Sequence, residues 1–180
     1  MKKIGLFFVV MFLLGYSVGF SQEEQKPSAA LNASSTPVAS NTLPAIHMHK
    51  VDYGDYRSVT LVTKAWDALK ANDLQSVLIY TNKCIEFYGA QASKMQASLK
   101  DYATGTNDQI FKYWALNDVG TSYFIQGEAY RAAGMNKEAI VAYKKVITDF
   151  SYAQCWDTQG FFWKPAEGSK PRLDFLETGK

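Results

Sequence analysis

From Ser58 onward apolar residues recur at helical spacing, and no proline interrupts the chain until Pro165. A stripe repeating every three to four residues marks an amphipathic helix, because those positions share one face. The clearest unit spans residues 120–153. In its first half Tyr123, Gly127 and Tyr130 fall on one stripe, and Gly134 closes the helix. Glycine suits that place because it enters the left-handed conformation without a Cβ clash. In the second half Ala139, Tyr143 and Val146 again line one face. Two such helices joined by a tight turn predict an antiparallel hairpin.

A weaker copy spans residues 58–91. Leu61, Ala65 and Ala68 take the first-helix positions, Asn72 the turn, and Val77, Thr81 and Cys84 the second-helix positions. Asparagine also visits the left-handed region, through local hydrogen bonding of its short side chain. The stripe then continues through Ile85, Tyr88, Ala92, Met95, Leu99 and Tyr102, so the second helix runs long, to about residue 99 or 100. The run Ala103-Thr104-Gly105-Thr106 breaks it, and the following FKYWALNDV starts the next helix. A capping helix is expected over residues 154–167, since a terminal hairpin must cover its apolar face. Residues 168–180 read as a tail. The fold class predicted is all-α: a short stack of antiparallel hairpins with a long inserted helix and a C-terminal cap, over residues 57–167.

The unit 120–153 resembles a tetratricopeptide repeat. Tyr123, Gly127 and Tyr130 match the large–small–aromatic order of its first helix, and Ala139 and Tyr143 match its second. Val146 is bulkier than usual, and Ser151 stands where proline is common. The stretch YWALNDVGTSYFIQGEAY, with YAQCWD and FFWKPAE, resembles a group of small secreted bacterial tetratricopeptide proteins, some labelled "beta-glucanase precursor". That likeness covers roughly the C-terminal two-thirds and supplies no catalytic residues. It implies a right-handed stack whose first helices line a concave peptide groove. The groove positions map onto Val59, Val62, Trp66 and Leu69, and onto Thr121, Phe124, Glu128 and Arg131. The alternative for Trp66 and Phe124 is packing against each other or against the inserted segment.

The N-terminus has a different pattern. Lys2 and Lys3 precede an uncharged run from Ile4 to Leu14, and small residues lead to Ser21. This layout predicts a signal peptide over residues 1–21. An uncleaved anchor is the competing reading, because the run extends to Phe20. Either way the expected location is periplasmic or extracellular. Residues 22–56 are rich in Pro, Ser and Ala and read as a flexible spacer, with too few large apolar groups to offset ordering entropy.

Charge then narrows the function. The chain of 180 residues carries 19 Lys+Arg and 17 Asp+Glu, and Lys2 and Lys3 account for the excess. Such balance predicts no nucleic-acid partner, which needs clustered cations. No cofactor motif occurs, and no catalytic role is assigned. Glu128, Asp118 and Asp157 lack an opposed partner of the kind glycoside hydrolysis uses, and read as solvated surface acids. His47 and His49 lie in the spacer, where with Asp52 and Asp55 they have ligand chemistry for a metal but no rigid frame. Cys84 and Cys155 should be separated by a whole hairpin, so two buried thiols are expected. A bridge would need the C-terminus to fold back. The function expected is a non-catalytic module binding a protein or peptide partner in the bacterial cell envelope. The alternative is a glycan-associated accessory using Trp156, Phe161, Phe162 and Trp163.

Export makes one direct prediction: intact-mass measurement of the secreted protein should show the first 19–21 residues removed. Full-length chain recovered with membranes would establish the anchor.

Overall fold

The computed structural model describes residues 51–179. The expected signal peptide, most of the spacer, and His47 and His49 lie outside these residues. The described chain is mostly helical: α1 (Ser58–Lys70), α2 (Leu74–Ala97), α3 (Asn107–Phe111), α4 (Trp114–Ala132), α5 (Asn136–Asp149) and α6 (Pro165–Thr178). A small antiparallel ribbon, β1 (Cys155–Trp156) and β2 (Phe162–Trp163), lies between α5 and α6. None of the described helices is long and apolar enough to cross a membrane.

The helices begin and end where their local chemistry dictates. Asp73 accepts the Ser76 amide proton at 3.0 Å and so caps α2, satisfying a donor that has no partner within the helix. Pro165 opens α6 in the first turn, where its missing N–H costs nothing. The α1–α2 and α4–α5 turns share one geometry. Asn72 (φ 55°) and Gly134 (φ 72°) both lie in the left-handed region. In each turn the next amide donates back across it, Asp73 N–H to Ala68 O at 3.0 Å and Met135 N–H to Tyr130 O at 2.9 Å. That 6→1 bond is the Schellman motif.

Helix α4 occupies the centre, packed against α1, α2, α5 and α6. Leu116, Val119, Ile125 and Ala115 are wholly buried there, with Leu61, Ala65, Val77 and Cys84 supplying the facing surface. Ala68 is also buried. Gly127 permits the close approach of α5, since a Cβ on it would overlap the Tyr143 ring. Tyr143 and Ala139 are themselves fully buried. Tyr123 stacks on Phe150 with ring centroids 5.5 Å apart, and Tyr130 lies half-buried against α5 and its neighbours.

Three expectations need correction. The capping helix over 154–167 is instead the ribbon, and the supposed tail forms most of α6. Asp157 and Gly160 make the ribbon's turn: the Gly160 amide donates to Asp157 O at 2.9 Å, with Gly160 at φ 91°. Cys155 accordingly begins a strand rather than a helix. Helix α4 begins at Trp114, within the FKYWALNDV stretch expected to start it. The long α2 ends at Ala97, close to the predicted break.

Gly127→Ala should therefore overpack α4 against α5 and cost about 1–3 kcal/mol. Chemical denaturation should show a lower midpoint with an unchanged slope, because the surface exposed on unfolding hardly differs.

Candidate functional site

The face of α1 and α4 that the sequence marks as a groove is partly covered by the chain's own C-terminus. Trp163 of β2 meets Phe124 of α4 edge-on, with centroids 4.9 Å apart. Trp66 of α1 lies 6.2 Å from Phe124 and 6.3 Å from Trp163. Each such aromatic pair contributes about 0.5–1.5 kcal/mol beyond simple burial. Arg172 of α6 sits over the Phe124 ring, 5.0 Å from its centroid. Phe124 is buried in consequence, Val62 is buried in the main core and Thr121 is buried as well, so none of the three offers a surface to a ligand.

Glu128 is likewise committed. It accepts hydrogen bonds from the Tyr143 hydroxyl and Arg172 Nε, and Arg131 Nη2 reaches its other oxygen at 3.2 Å. Burial pushes its pKa upward, but these bonds and the Arg172 charge outweigh that and hold it below the ordinary carboxylate range. Glu128 thus clamps α4 to α5 and α6 rather than orienting a ligand. Leu69 packs against the main core. Of the groove positions, Val59 and Arg131 stay exposed and Trp66 stays partly so.

What remains open is a cleft of about 560 Å³ between α1 and the ribbon, lined by Thr63, Trp66, Asp67, Lys70, Trp156, Asp157, Thr158 and Trp163, with Phe124 and Cys155 behind them. Two residue sets that the sequence treats as rivals thereby meet: Trp66 from the expected groove, Trp156 and Trp163 from the C-terminal aromatic cluster. Trp156 is 39% exposed and braced by Phe162, at 4.8 Å between centroids, and by Phe111 at 5.8 Å. Phe161 is 49% exposed. Asp67 lies 3.4 Å from Lys70, while the Asp157 carboxylate accepts the Gln159 amide proton at 2.7 Å.

Asp118 departs most from its reading as a solvated acid. It accepts the Ser58 hydroxyl proton at 2.5 Å and is largely enclosed between α1 and α2. Burial pushes its pKa from an ordinary 3.8 up to about 6, against the opposing effect of that hydrogen bond. With Asp118 bonded to α1 and Glu128 tied to α5 and α6, the two α4 acids form no opposed pair. Cys84 and Cys155 are free thiols. Burial pushes Cys84 up to about 12 and raises Cys155 as well, so neither is a ready nucleophile at neutral pH. Asp52 pairs with Lys64 at 2.9 Å and Asp55 with Arg57.

The sequence did not expose the cleft, because Trp66 and the ribbon are far apart in the chain. Comparison with family models, with curated proteins and with solved structures found no match.

Folded Asp118 holds its proton more tightly than the unfolded chain does. Stability from this group is therefore greatest below about pH 4 and is lost as pH rises through about 6. Asp118→Asn, neutral and of similar shape, should be more stable than the wild type at pH 7 by up to about 3 kcal/mol. The advantage should shrink toward pH 4, which paired melting curves across that range would measure.

Proposed function

We propose that this chain is an exported, non-catalytic tetratricopeptide-like module of the bacterial cell envelope, and that its aromatic cleft binds a peptide segment of a partner protein. The tetratricopeptide reading is supported by the two hairpins with matching left-handed turns at Asn72 and Gly134. The Gly127–Tyr143 contact supports it further. Export is supported by Lys2, Lys3 and the apolar run that follows.

The observation that carries the binding reading is the convergence of Trp66, Trp156 and Trp163 on one open cleft. Tryptophan is the side chain most enriched among the few that dominate interface energies. The cleft rim holds Asp67, Asp157 and a single Lys70, which disfavours phosphate and suits an extended segment with backbone donors. A glycan-associated role is the second reading. It is favoured by the exposed face of Trp156 beside Asp157 and Thr158, an aromatic platform flanked by hydrogen-bonding groups.

Panning a random peptide library against the secreted protein, in parallel with sedimentation on insoluble glycan, separates the two readings. Enriched peptides should lose about 30-fold in affinity for Trp156→Ala, corresponding to about 2 kcal/mol for a true anchor. Because Trp156 also packs on Phe162 and Phe111, its truncation should lower the melting temperature as well, so affinity is compared at a temperature where both proteins are fully folded. Glycan retention without peptide enrichment would favour the second reading, and retention of neither would reject both.

A further inference from the structure

The protein's two enclosed carboxylates on α4 are treated differently. Glu128 has two arginines and a tyrosine on it. Asp118 has the Ser58 hydroxyl, and among the described residues it appears in no ion pair. It does not face a sealed core. A cavity of about 290 Å³ opens above it, bounded by Arg57, Ser58, Val59, Tyr88 and Trp114.

The walls of that cavity are mainly apolar and aromatic. Tyr88 and Trp114 meet edge to face at 5.3 Å and 81°, presenting two differently oriented ring systems. Trp114 is 43% exposed and Val59 55%, although both flank an enclosed acid. Arg57, the one cation at the mouth, is drawn away: its Nε donates to Asp55, and its amide donates to the same carboxylate at 3.1 Å. An ionised carboxylate in an apolar recess is costly without a counter-charge, and aromatic walls favour that counter-charge being organic.

We propose that the pocket floored by Asp118 and walled by Tyr88, Trp114 and Val59 binds an organic ammonium group, with the carboxylate accepting its N–H and the rings packing its methylenes. The charged and titratable groups facing Asp118 are Arg57 at the start of α1, Cys84 and Tyr88 from α2, and Cys155 from β1. The thiols are held neutral by burial, and Arg57 is engaged by Asp55. Loss of affinity on acidification should therefore follow Asp118, which gains its proton near pH 6. The site shares no residue with the aromatic cleft, so its failure would leave the peptide reading standing.

The probe is n-butylammonium, titrated into the secreted protein while the Trp114 indole N–H is followed by NMR, its signal assigned through Trp114→Phe. A saturable shift is expected at about pH 7.5, at least about tenfold weaker at about pH 5 and in Asp118→Asn. The neutral isostere n-butanol should bind at least about tenfold more weakly than the ammonium. Equal binding of butanol would reduce the pocket to an apolar recess and overturn the proposal. Undiminished binding by Asp118→Asn, or no saturable shift of Trp114, would overturn it as well. Asp118→Asn remains a fair test because it keeps an acceptor for Ser58, and Trp114→Ala, which removes the indole signal and is therefore read by saturation transfer to the butylammonium protons, should lose binding with the acid intact. Nα-acetyl-lysinamide and putrescine then distinguish the source, a lysine side chain of a partner or a free amine, by which binds more tightly.

Discussion

Helix α4 is enclosed on most of its circumference, yet its sequence carries Asn117, Asp118, Ser122, Gln126 and Glu128. Burying such groups without partners costs roughly 1–3 kcal/mol each, so the rest of the fold must supply them. It does so from every side. Asn117 donates to Ile110 O at 3.3 Å and accepts from the Gln154 amide at 2.9 Å, fixing α3 and the approach to the ribbon. Gln126 donates to Thr81 Oγ1 at 2.9 Å and to Asn82 Oδ1 at 2.8 Å, fixing α2. Glu128 holds α5 and α6. Thr121 Oγ1 alone among the described buried side-chain atoms lacks a conventional partner, with the Cys155 thiol beside it.

The same constraint explains a departure in the first hairpin. Thr81 stands where Tyr143 stands in the second, at the helix position facing α4. A tyrosine there would compete with Gln126 for space and remove the hydroxyl it bonds. The second hairpin has the reverse arrangement, a small Gly127 on α4 and a large ring on α5. Each side of α4 thus pairs one bulky or polar group with one small or complementary one, which is how interiors reach close packing.

Electrostatics divides the two ends of α4. At Glu128 two guanidinium groups compensate the charge and a phenol donates a hydrogen bond, and the result is a structural tie that brings α6 down over Phe124. At Asp118 a single hydroxyl leaves the charge largely uncompensated beneath an open pocket. The covering of Phe124 also sets what stays available for recognition. Once α6 and Trp163 close over Phe124, the strip between Trp66 and Trp156 is left as an open cleft, and its floor is the ring cluster itself. Sites built on such locked side chains lose little entropy on binding.

Local pattern was enough for the all-α class, the hairpin turns and most of the core. The left-handed turns at Asn72 and Gly134, the spacing of Leu61, Ala65, Val77 and Cys84, and the long α2 all follow from interactions between residues near in sequence. The C-terminus differs from expectation because the need to cover a terminal hairpin's apolar face predicts a cap over 154–167 but does not decide whether a helix or a ribbon supplies it. Asp157 and Gly160 as a turn, and Pro165 as a helix opener, were the signals that pointed otherwise. Phe124 and Glu128 were read as ligand-facing and Asp118 as solvated because burial of a polar or aromatic group is decided by what arrives from elsewhere in the chain. No periodicity within α4 encodes the arrival of Arg172, Trp163 or Ser58. The sequence determined the two hairpins, the long α2 and which of their faces are apolar. Tertiary packing alone decided which of those faces were covered, which acids were neutralised, and where an aromatic cleft was left open.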